Sequence, residues 1–282
     1  MLALIITKSN FINFTGDISD IALCEVLKIS GSAPRNIGTW MLISSSGETL
    51  GTIGGGYLEY DLIAKVKKQD WRENFDFTIA TALGPSIGQC CGGNVIIAIK
   101  RMDENVFTSL LSRIRKQATC NPQVFIFGAG HVGAALACQL DNLPLNVTVI
   151  DNRKHYVLGL KGTFKRKFSL IPEQEIRNAK AGSAFIIVTH DHSLDFLLCY
   201  EILRRNDAAY VGMIGSKSKK GVLENWLAKR GINNVDQVKI PIGKTFFQSE
   251  DKRPEIISTY IISEMLFFLE KMGLKSIQKK GA

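Results

Sequence analysis

The stretch FIFGAGHVGAALA, Phe125–Ala137, decides the architecture of the second half of the chain. A short apolar run leads into glycines at positions 128, 130 and 133, and small apolar residues follow. A tight turn at Gly128, close approach of backbone to a diphosphate at Gly130 and close helix–strand packing at Gly133 each require the absence of a side chain. We therefore predict a strand, a glycine loop and a helix whose N-terminus offers free N–H groups to phosphate.

The sequence around this loop supports the same interpretation. Asp151 ends the next apolar run, VTVID, where a carboxylate can accept hydrogen bonds from ribose hydroxyls. From Val124 onward, apolar strands alternate with helical patterns, which is typical of a parallel sheet covered on both faces. We predict a Rossmann-like parallel-sheet domain over residues 118–282.

The identity of the ligand stays open at this loop. His131 stands where a smaller residue is more usual, and we take it as a candidate ligand contact. Arg153 follows Asp151 closely, so it can either favour a 2′-phosphate or pair with that carboxylate. A Rossmann scaffold with an empty or altered site is a further alternative, because a fold does not fix a function.

Two later strand ends carry polar residues. THDHSLD (Thr189–Asp195) follows the run AFIIV, and GSKSK (Gly215–Lys219) follows AAYVGMIG. Ligands of α/β proteins bind at this carboxyl edge, so we predict cofactor contacts for His190 and Ser216. Helix capping by Asp191 or by the serines is the alternative, and two histidines one residue apart do not suffice for a metal site.

The first half of the chain follows a different pattern. Residues 1–117 contain short β-rich runs separated by glycine turns, with a helical pattern at Tyr57–Lys68 and a connecting helix at Asp103–Gln117. The predicted fold class is therefore α/β, with an N-terminal α+β domain of mostly antiparallel strands followed by the Rossmann-like domain.

Two glycine segments of this first domain can bind anions. GSAPRNIG (Gly31–Gly38) contains Arg35, whose guanidinium can bind phosphate in a bidentate manner. GTIGGGYLEYD (Gly51–Asp61) places Gly55 just before a helix, where backbone N–H groups are free. The alternative is ordinary turn chemistry between strands.

A third glycine segment, LGPSIGQCCGGNV (Leu83–Val95), contains two adjacent cysteines. Adjacent cysteines lack the spacing of a zinc site, and a disulfide between them would be strained. Thiolates at Cys90 and Cys91 suit a soft metal or sulfur transfer, and Gln89 can both donate and accept hydrogen bonds. Backbone N–H groups of the flanking Gly92 and Gly93 can lower the pKa of a thiol.

Composition restricts the class of protein. The chain has 282 residues, 45% of them apolar and 22% charged, and contains no apolar run near the ~20 residues of a membrane span. We expect no membrane insertion, and a cytoplasmic location because no export signal is seen and the six cysteines show no disulfide framework. The net charge of +9 is typical of solvated helix faces, and it also fits an anionic small molecule or an acidic protein face as partner. We expect no nucleic acid partner, since aromatic residues do not accompany the basic clusters.

Taken in order, the motifs resemble one known family. GSAPRNIG, GTIGGGYLE, LGPSIGQCCGGNV, FGAGHVGAALA, VIDNR, THDHSLD, YVGMIGSKSKK, PIG and KRPEIIS are similar to those of the XdhC/CoxI family, the xanthine dehydrogenase accessory proteins. The combination of GQCCGG with GTIGGG and a later GAGHVG carries the resemblance, which extends over nearly the whole chain.

The resemblance implies a function. It implies a cytoplasmic, homodimeric chaperone that binds the molybdenum cofactor (molybdopterin) and shelters it while a cysteine desulfurase installs its terminal sulfur. The chaperone then delivers it to a xanthine dehydrogenase-type apoenzyme. The chain would be a non-catalytic maturation factor, with Cys90 and Cys91 as candidate molybdenum contacts. The resemblance places the family's cofactor loop on Gln89, Cys90, Cys91, Gly92 and Gly93, and its glycine fingerprint on Gly128, Gly130 and Gly133.

Two other classes of function remain open from the sequence. The glycine fingerprint with Asp151 also suits an NAD(P)-dependent oxidoreductase that binds a dinucleotide. A protein-interaction scaffold that uses neither the glycine loops nor the cysteines is the third hypothesis.

Overall fold

The computed structural model describes residues 6–84, 92–246 and 249–274. The chain divides into two compact units, the first extending to Thr119 and the second beginning at Cys120. The predicted mixture is confirmed, since the first unit is built on an antiparallel sheet and the second on a parallel one. None of the helices within the described ranges combines the length and apolarity needed to cross a bilayer.

Within the described ranges, the first unit contains five strands, three α-helices and one 3-10 turn. The strands pair in the order β3-β2-β1-β5-β4, each antiparallel to its neighbours. In chain order the elements are α1 (Lys8–Phe14), a 3-10 turn (Ile18–Asp20), β1 (Ile21–Ser30), β2 (Trp40–Ser44), β3 (Thr49–Gly51), α2 (Gly56–Lys67), β4 (Asp76–Ala82), β5 (Asn94–Arg101) and α3 (Glu104–Cys120).

Both faces of this sheet are covered by helices, because successive strand residues point to opposite sides. Ala22, Cys24 and Val26 of β1 lie in one core with Leu58 and Leu62 of α2. The intervening residues of β1 and β2 pack in a second core with α1 and α3; this core includes Ile21, Leu23, Leu42, Phe11 and Leu110. The continuous apolar character of β1 follows from burial on both sides.

Local signals place the helices of the first unit. The predicted helix at Tyr57–Lys68 is observed as Gly56–Lys67, and the predicted helix at Asp103–Gln117 is observed as Glu104–Cys120. The backbone N–H of Val106 donates to Asp103 Oδ1 at 2.7 Å, so Asp103 caps α3. Helix α1 was not predicted. Its signal was a capping box, in which Thr7 Oγ1 accepts from the N–H of Asn10 while the Asn10 side chain accepts from the N–H of Thr7.

The second unit alternates strands and helices. The six strands that the structure describes in this unit are parallel and pair in the order β11-β10-β9-β6-β7-β8. The elements are β6 (Gln123–Phe127), α4 (His131–Leu140), β7 (Asn146–Asp151), α5 (Lys154–Gly159), β8 (Lys165–Phe168), α6 (Glu173–Asn178), β9 (Ala184–Ile187), α7 (His192–Arg205), β10 (Tyr210–Met213), α8 (Lys217–Ala228), β11 (Val238–Lys239) and α9 (Pro254–Leu269), followed by a π-helical turn (Glu270–Leu274).

The strand order reverses between β6 and β9, which are neighbours in the sheet although they are distant in sequence. One face of the sheet packs against α4 and α9 through residues such as Val124, Leu136 and Ile261. The other face packs against α6, α7 and α8 through residues such as Phe127 and Leu198. In an open α/β sheet the carboxyl ends at such a reversal form the usual binding crevice, and the glycine loop after β6 and Thr189 after β9 lie there.

The sequence does not predict the two edge strands of the parallel sheet, β8 and β11. Strand β8 has the sequence KRKF and β11 contains two residues, and each is hydrogen-bonded to a single neighbour. Every residue of β8 is exposed or half-buried, so its sequence is basic and shows no apolar period. Its pairing with β7 is a tertiary interaction that periodicity does not report.

A buried carboxylate fixes the C-terminal helix to the sheet. Glu264 of α9 is fully buried and accepts hydrogen bonds from the Tyr210 hydroxyl at 2.6 Å and from the backbone N–H groups of Gly243 (3.1 Å) and Thr245 (2.7 Å). Burial, followed by the charge and the hydrogen bond of Glu264, raises the pKa of Tyr210 well above its ordinary value. The carboxylate thus organises the PIG segment that follows β11.

Replacing this carboxylate is expected to destabilise the second unit. Glu264→Ala leaves two buried donors and one half-buried donor without an acceptor and opens a cavity, so the free energy of unfolding should fall by about 3 kcal/mol or more. Glu255→Ala, at an exposed position of the same helix, is the control and should change it by less than about 1 kcal/mol. Urea denaturation followed by circular dichroism measures both, and equal midpoints would contradict this account of Glu264.

Candidate functional site

The glycine loop after β6 is held by close backbone contacts. Gly128 has φ +114°, and a Cβ there would overlap the carbonyl oxygen of Val188 at the end of β9. A Cβ at Gly133 would overlap the carbonyl oxygen of Gly128. Gly130 has open space on its Cβ side, and His131 is the exposed first residue of α4. The outer two glycines therefore serve packing, while the middle one leaves the helix N-terminus accessible.

Asp151, at the end of β7, is buried against this loop. Its Oδ2 accepts from the N–H of Ala129 at 2.6 Å and from Arg153 Nη2 at 2.8 Å. Its Oδ1 accepts from the N–H and Nε of Arg153, at 2.8 and 3.0 Å. Burial alone would raise the pKa of Asp151, but the hydrogen bonds from Arg153 and Ala129 outweigh it and hold the pKa below its ordinary value. Of the two alternatives for Arg153, the structure contains the pair with Asp151.

A second buried cluster joins the ends of β9 and β10. Thr189 Oγ1 donates to Asp195 Oδ1 at 2.6 Å, and Lys219 Nζ pairs with Asp195 Oδ2 and donates to the carbonyl of Ile214 at 2.9 Å. The side chains of Asp195 and Lys219 are only 1% and 9% exposed. Their pairing was missed from sequence, because the two residues stand on different helices and only the fold brings them together.

The remaining strand-end residues act mainly as caps. Ser216 Oγ accepts from the N–H of Lys219 at 3.3 Å and caps α8, while Asp191 accepts from the N–H of Ser193 at 2.8 Å and caps α7. Both capping alternatives are therefore present. His190 is exposed and lines the crevice at the strand reversal together with Asp151 and Thr189.

The second unit contains a small crevice beside its predicted site residues and a larger cleft elsewhere. The crevice lined by Asp151, Thr189 and His190 has a free volume of about 10 Å³. A larger cleft of about 790 Å³ lies beside β8, where Lys165, Lys167 and Asn178 contribute to its lining. Of the predicted site residues that the structure describes, none lines that larger cleft.

In the first unit, three glycine segments meet at one end of the sheet. A Cβ at Gly54 would overlap the ring of Pro34, which places the loop before α2 against the loop after β1. A Cβ at Gly93 would overlap the carbonyl oxygen of Ser32, so the segment before β5 lies against the same loop. Ser32 and Gly92 also form an isolated parallel bridge. The fold thus assembles three motifs that are separate in sequence.

The predicted anion site at Gly55 already contains a carboxylate of the chain. Glu59 Oε1 accepts from the N–H of Gly55 at 2.8 Å, from the N–H of Ile53 at 3.0 Å and from Thr52 Oγ1 at 2.6 Å. The structure therefore differs from the expectation of an external anion there. The missed signal was an acidic residue in the first turn of α2, which is the usual complement of a helix N-terminus.

The other first-unit predictions lie around the cysteine loop. Arg35 is exposed in the loop after β1, and Gly92 has φ +65° with open space on its Cβ side. Gln89, Cys90 and Cys91 lie outside the described residues. Within the described ranges, no group of three or more His, Cys, Asp or Glu side chains is placed to hold a metal ion.

The described cysteines divide into two classes. Cys24 and Cys199 are buried, and burial raises the pKa of each thiol to about 12, helped at Cys199 by the charge of Asp195. Such thiols stay protonated near neutral pH and are poor nucleophiles and metal ligands. Cys120 and Cys138 are exposed.

Comparison with known proteins gives the family. Residues 124–265 match the family described as the XdhC Rossmann domain, and residues 19–69 match the XdhC and CoxI family. This chain belongs to the XdhC/CoxI family. The two matches cover the glycine fingerprint in the second unit and the loops containing Arg35 and Gly55 in the first.

The individual relatives share little sequence identity with this chain. The uncharacterized protein YqeB of Escherichia coli is 22% identical over 257 residues, a match that covers 87% of this chain and 43% of YqeB, so the chain spans less than half the length of that relative. A structure from Bacillus halodurans titled as a xanthine dehydrogenase (BH1974) superposes with a TM-score of 0.79 at 17% identity, covering 96% of this chain and 98% of the other. That likeness shows a shared fold.

The glycine loop gives a matched pair of substitutions. Gly133→Ala forces a methyl group against the Gly128 carbonyl, and the free energy of unfolding should fall by about 3 kcal/mol. Gly130→Ala places its methyl in open space at φ −71°, so the change should stay below about 1 kcal/mol. Thermal and urea denaturation of the two variants test this, and equal losses would contradict the packing role of Gly133.

The pH dependence of Asp151→Asn tests the buried pair. Because the folded-state pKa of Asp151 lies below its ordinary value of 3.8, the ionised carboxylate stabilises the fold above that pH. This stabilisation is lost as the pH falls toward the folded-state pKa. At pH 7 the variant should lose about 2 kcal/mol, and its difference from wild type should shrink below about pH 4.

Asp70→Asn is the matched control for this variant. Asp70 makes the same contacts with Arg72 two residues later, but that pair is exposed to solvent. An exposed ion pair contributes little to stability, so this variant should unfold like the wild type. A wild-type-minus-Asp151→Asn difference that stays constant from pH 7 to pH 3 would contradict the assignment.

Proposed function

We propose that this protein is an accessory factor for a xanthine dehydrogenase-type molybdoenzyme. In this proposal it binds the molybdenum cofactor, protects it while a cysteine desulfurase installs the terminal sulfur, and delivers it to the apoenzyme. Membership in the XdhC/CoxI family supports the accessory role. The client enzyme, a cytoplasmic location and a homodimeric state are part of the proposal.

The observation that carries the proposal is the meeting of three glycine segments in the first unit. The N–H of Leu83 donates to the carbonyl of Gly93 at 2.6 Å, and Ser32 bridges to Gly92. The segment containing Cys90 and Cys91 therefore begins and ends at positions fixed on the antiparallel sheet. We propose that the thiols of this segment and Arg35 act on the same ligand.

The residues of this end suit a phosphorylated ligand with a soft metal. Arg35 is exposed, and no described residue forms an ion pair with it, so its guanidinium can bind a phosphate. Cys90 and Cys91 would contact molybdenum or carry sulfur, and Gln89 would bind an oxo group or a pterin edge. When bound, molybdopterin would supply the metal centre whose sulfur ligand the client needs.

The described thiols narrow the choice of reactive cysteines. Cys24 and Cys199 are protonated at neutral pH because of their raised pKa values. Cys120 and Cys138 are exposed but stand on helices, away from the three glycine segments in the sequence. The Cys-Cys pair is therefore the preferred candidate for a soft-metal contact.

The test is metal and pterin analysis after incubation of the full chain with molybdenum cofactor. Wild type should retain molybdenum and pterin in equal amounts, and Cys90→Ala/Cys91→Ala should lose both. Cys120→Ala/Cys138→Ala, which removes two exposed thiols elsewhere, is the control and should retain them. Circular dichroism checks that each variant is folded.

Two results would contradict the proposal. Absence of molybdenum and pterin from folded wild type would remove the cofactor role. Equal retention by wild type and the Cys90/Cys91 variant would remove the role of the cysteine pair and leave the rest of the site, including Arg35, to be tested.

A further inference from the structure

Binding of a dinucleotide in the Rossmann crevice is a separate question from the proposed function of the first unit. In nucleotide-binding members of this fold, the acidic residue at the end of the second strand accepts hydrogen bonds from ribose hydroxyls. Asp151 occupies that position at the end of β7. For ribose to bind there, the carboxylate must have acceptor positions that are not already used.

The acceptor positions of Asp151 are used by the chain itself. Each of its two oxygens accepts two hydrogen bonds, three from Arg153 and one from Ala129. An ionised carboxylate has about four lone-pair positions, so all are satisfied. A ribose diol would have to displace the guanidinium of Arg153, which is bound in a bidentate and charge-assisted manner.

The guanidinium of Arg153 also contacts the ring of Tyr156. Its Cζ lies 4.1 Å from the centroid of the Tyr156 ring, a cation–π distance, and the side chain is 27% exposed. The guanidinium is therefore fixed between a carboxylate and an aromatic ring. Because Nε and Nη2 both donate to Asp151, the same fork is not available to a 2′-phosphate, and the neighbouring carboxylate would repel one.

The crevice beside Asp151 is also narrow. Its free volume of about 10 Å³ corresponds to roughly one water molecule, and Pro172 and Leu194 complete its lining. The open space at Gly130 shows that the diphosphate position is not blocked in the same way. The obstruction is therefore on the ribose side of the Rossmann site.

We propose that Arg153 is a specificity-determining residue that closes the ribose subsite of the Rossmann unit. Its guanidinium takes the hydrogen-bonding positions that a ribose diol would use, so the unit rejects NAD- and NADP-type dinucleotides. Asp151 then anchors the glycine loop through Ala129 instead of binding ligand. This assignment separates the protein from nicotinamide-dependent oxidoreductases that share its glycine fingerprint.

The test is a gain of binding. Isothermal titration of the full-length wild type with ADP-ribose and with NADH should show no binding up to about 1 mM. Arg153→Ala removes the two guanidinium hydrogen bonds to Asp151 and should bind ADP-ribose at least about 10-fold more tightly than wild type does. Asp151→Asn/Arg153→Ala should lose that gain, because the freed acceptor is removed.

Arg72→Ala is the matched control, since it breaks the same Asp-x-Arg contact at an exposed site in the first unit and should not gain binding. Thermal unfolding confirms that each variant is folded. A dissociation constant below about 100 μM for wild type with NADH or with ADP-ribose would overturn the proposal. A folded Arg153→Ala protein that binds no better than wild type would overturn it as well. Neither result bears on retention of molybdenum by the first unit.

Discussion

The second unit depends on the approach of three backbone segments at the reversal of its sheet. The loop after β6 passes so close to the end of β9 that Gly128 has no room for a side chain, and α4 starts so close to that loop that Gly133 has none either. These contacts fix the direction of α4 relative to the sheet. The N–H of Ala129 then meets Asp151 at the end of β7, so three strand ends are joined at one place.

Much of this arrangement could be predicted, because its determinants are local. The glycine spacing, the apolar strands and the carboxylate at the end of β7 are all visible in sequence. The partner of that carboxylate is not, since a pair with Arg153 and a bond to ribose place the same demands on residue type. Lys219 and Asp195 were missed for a related reason, because residues on separate helices pair only after the sheet has formed.

In the first unit, sequence located the glycine segments but not their relation to one another. Their meeting depends on the antiparallel order of the sheet, which brings the end of β1 beside the start of β5. The N-terminus of α2 at Gly55 binds an anion, as predicted, but the anion differs from the external one that was expected. Free N–H groups at a helix N-terminus do attract an anion, and here that anion is the side chain of Glu59, one turn along the same helix.

At the edges of the parallel sheet, part of the positive charge has a role other than ligand binding. Strand β8 ends one side of the sheet with exposed Lys165 and Lys167, and β11 ends the other side after two residues. An unpaired strand edge is a template for fibrillar association, and lysines or extreme shortness are two ways of preventing it. Lys165 and Lys167 therefore disfavour the pairing of a further strand with β8, a role that requires no anionic ligand.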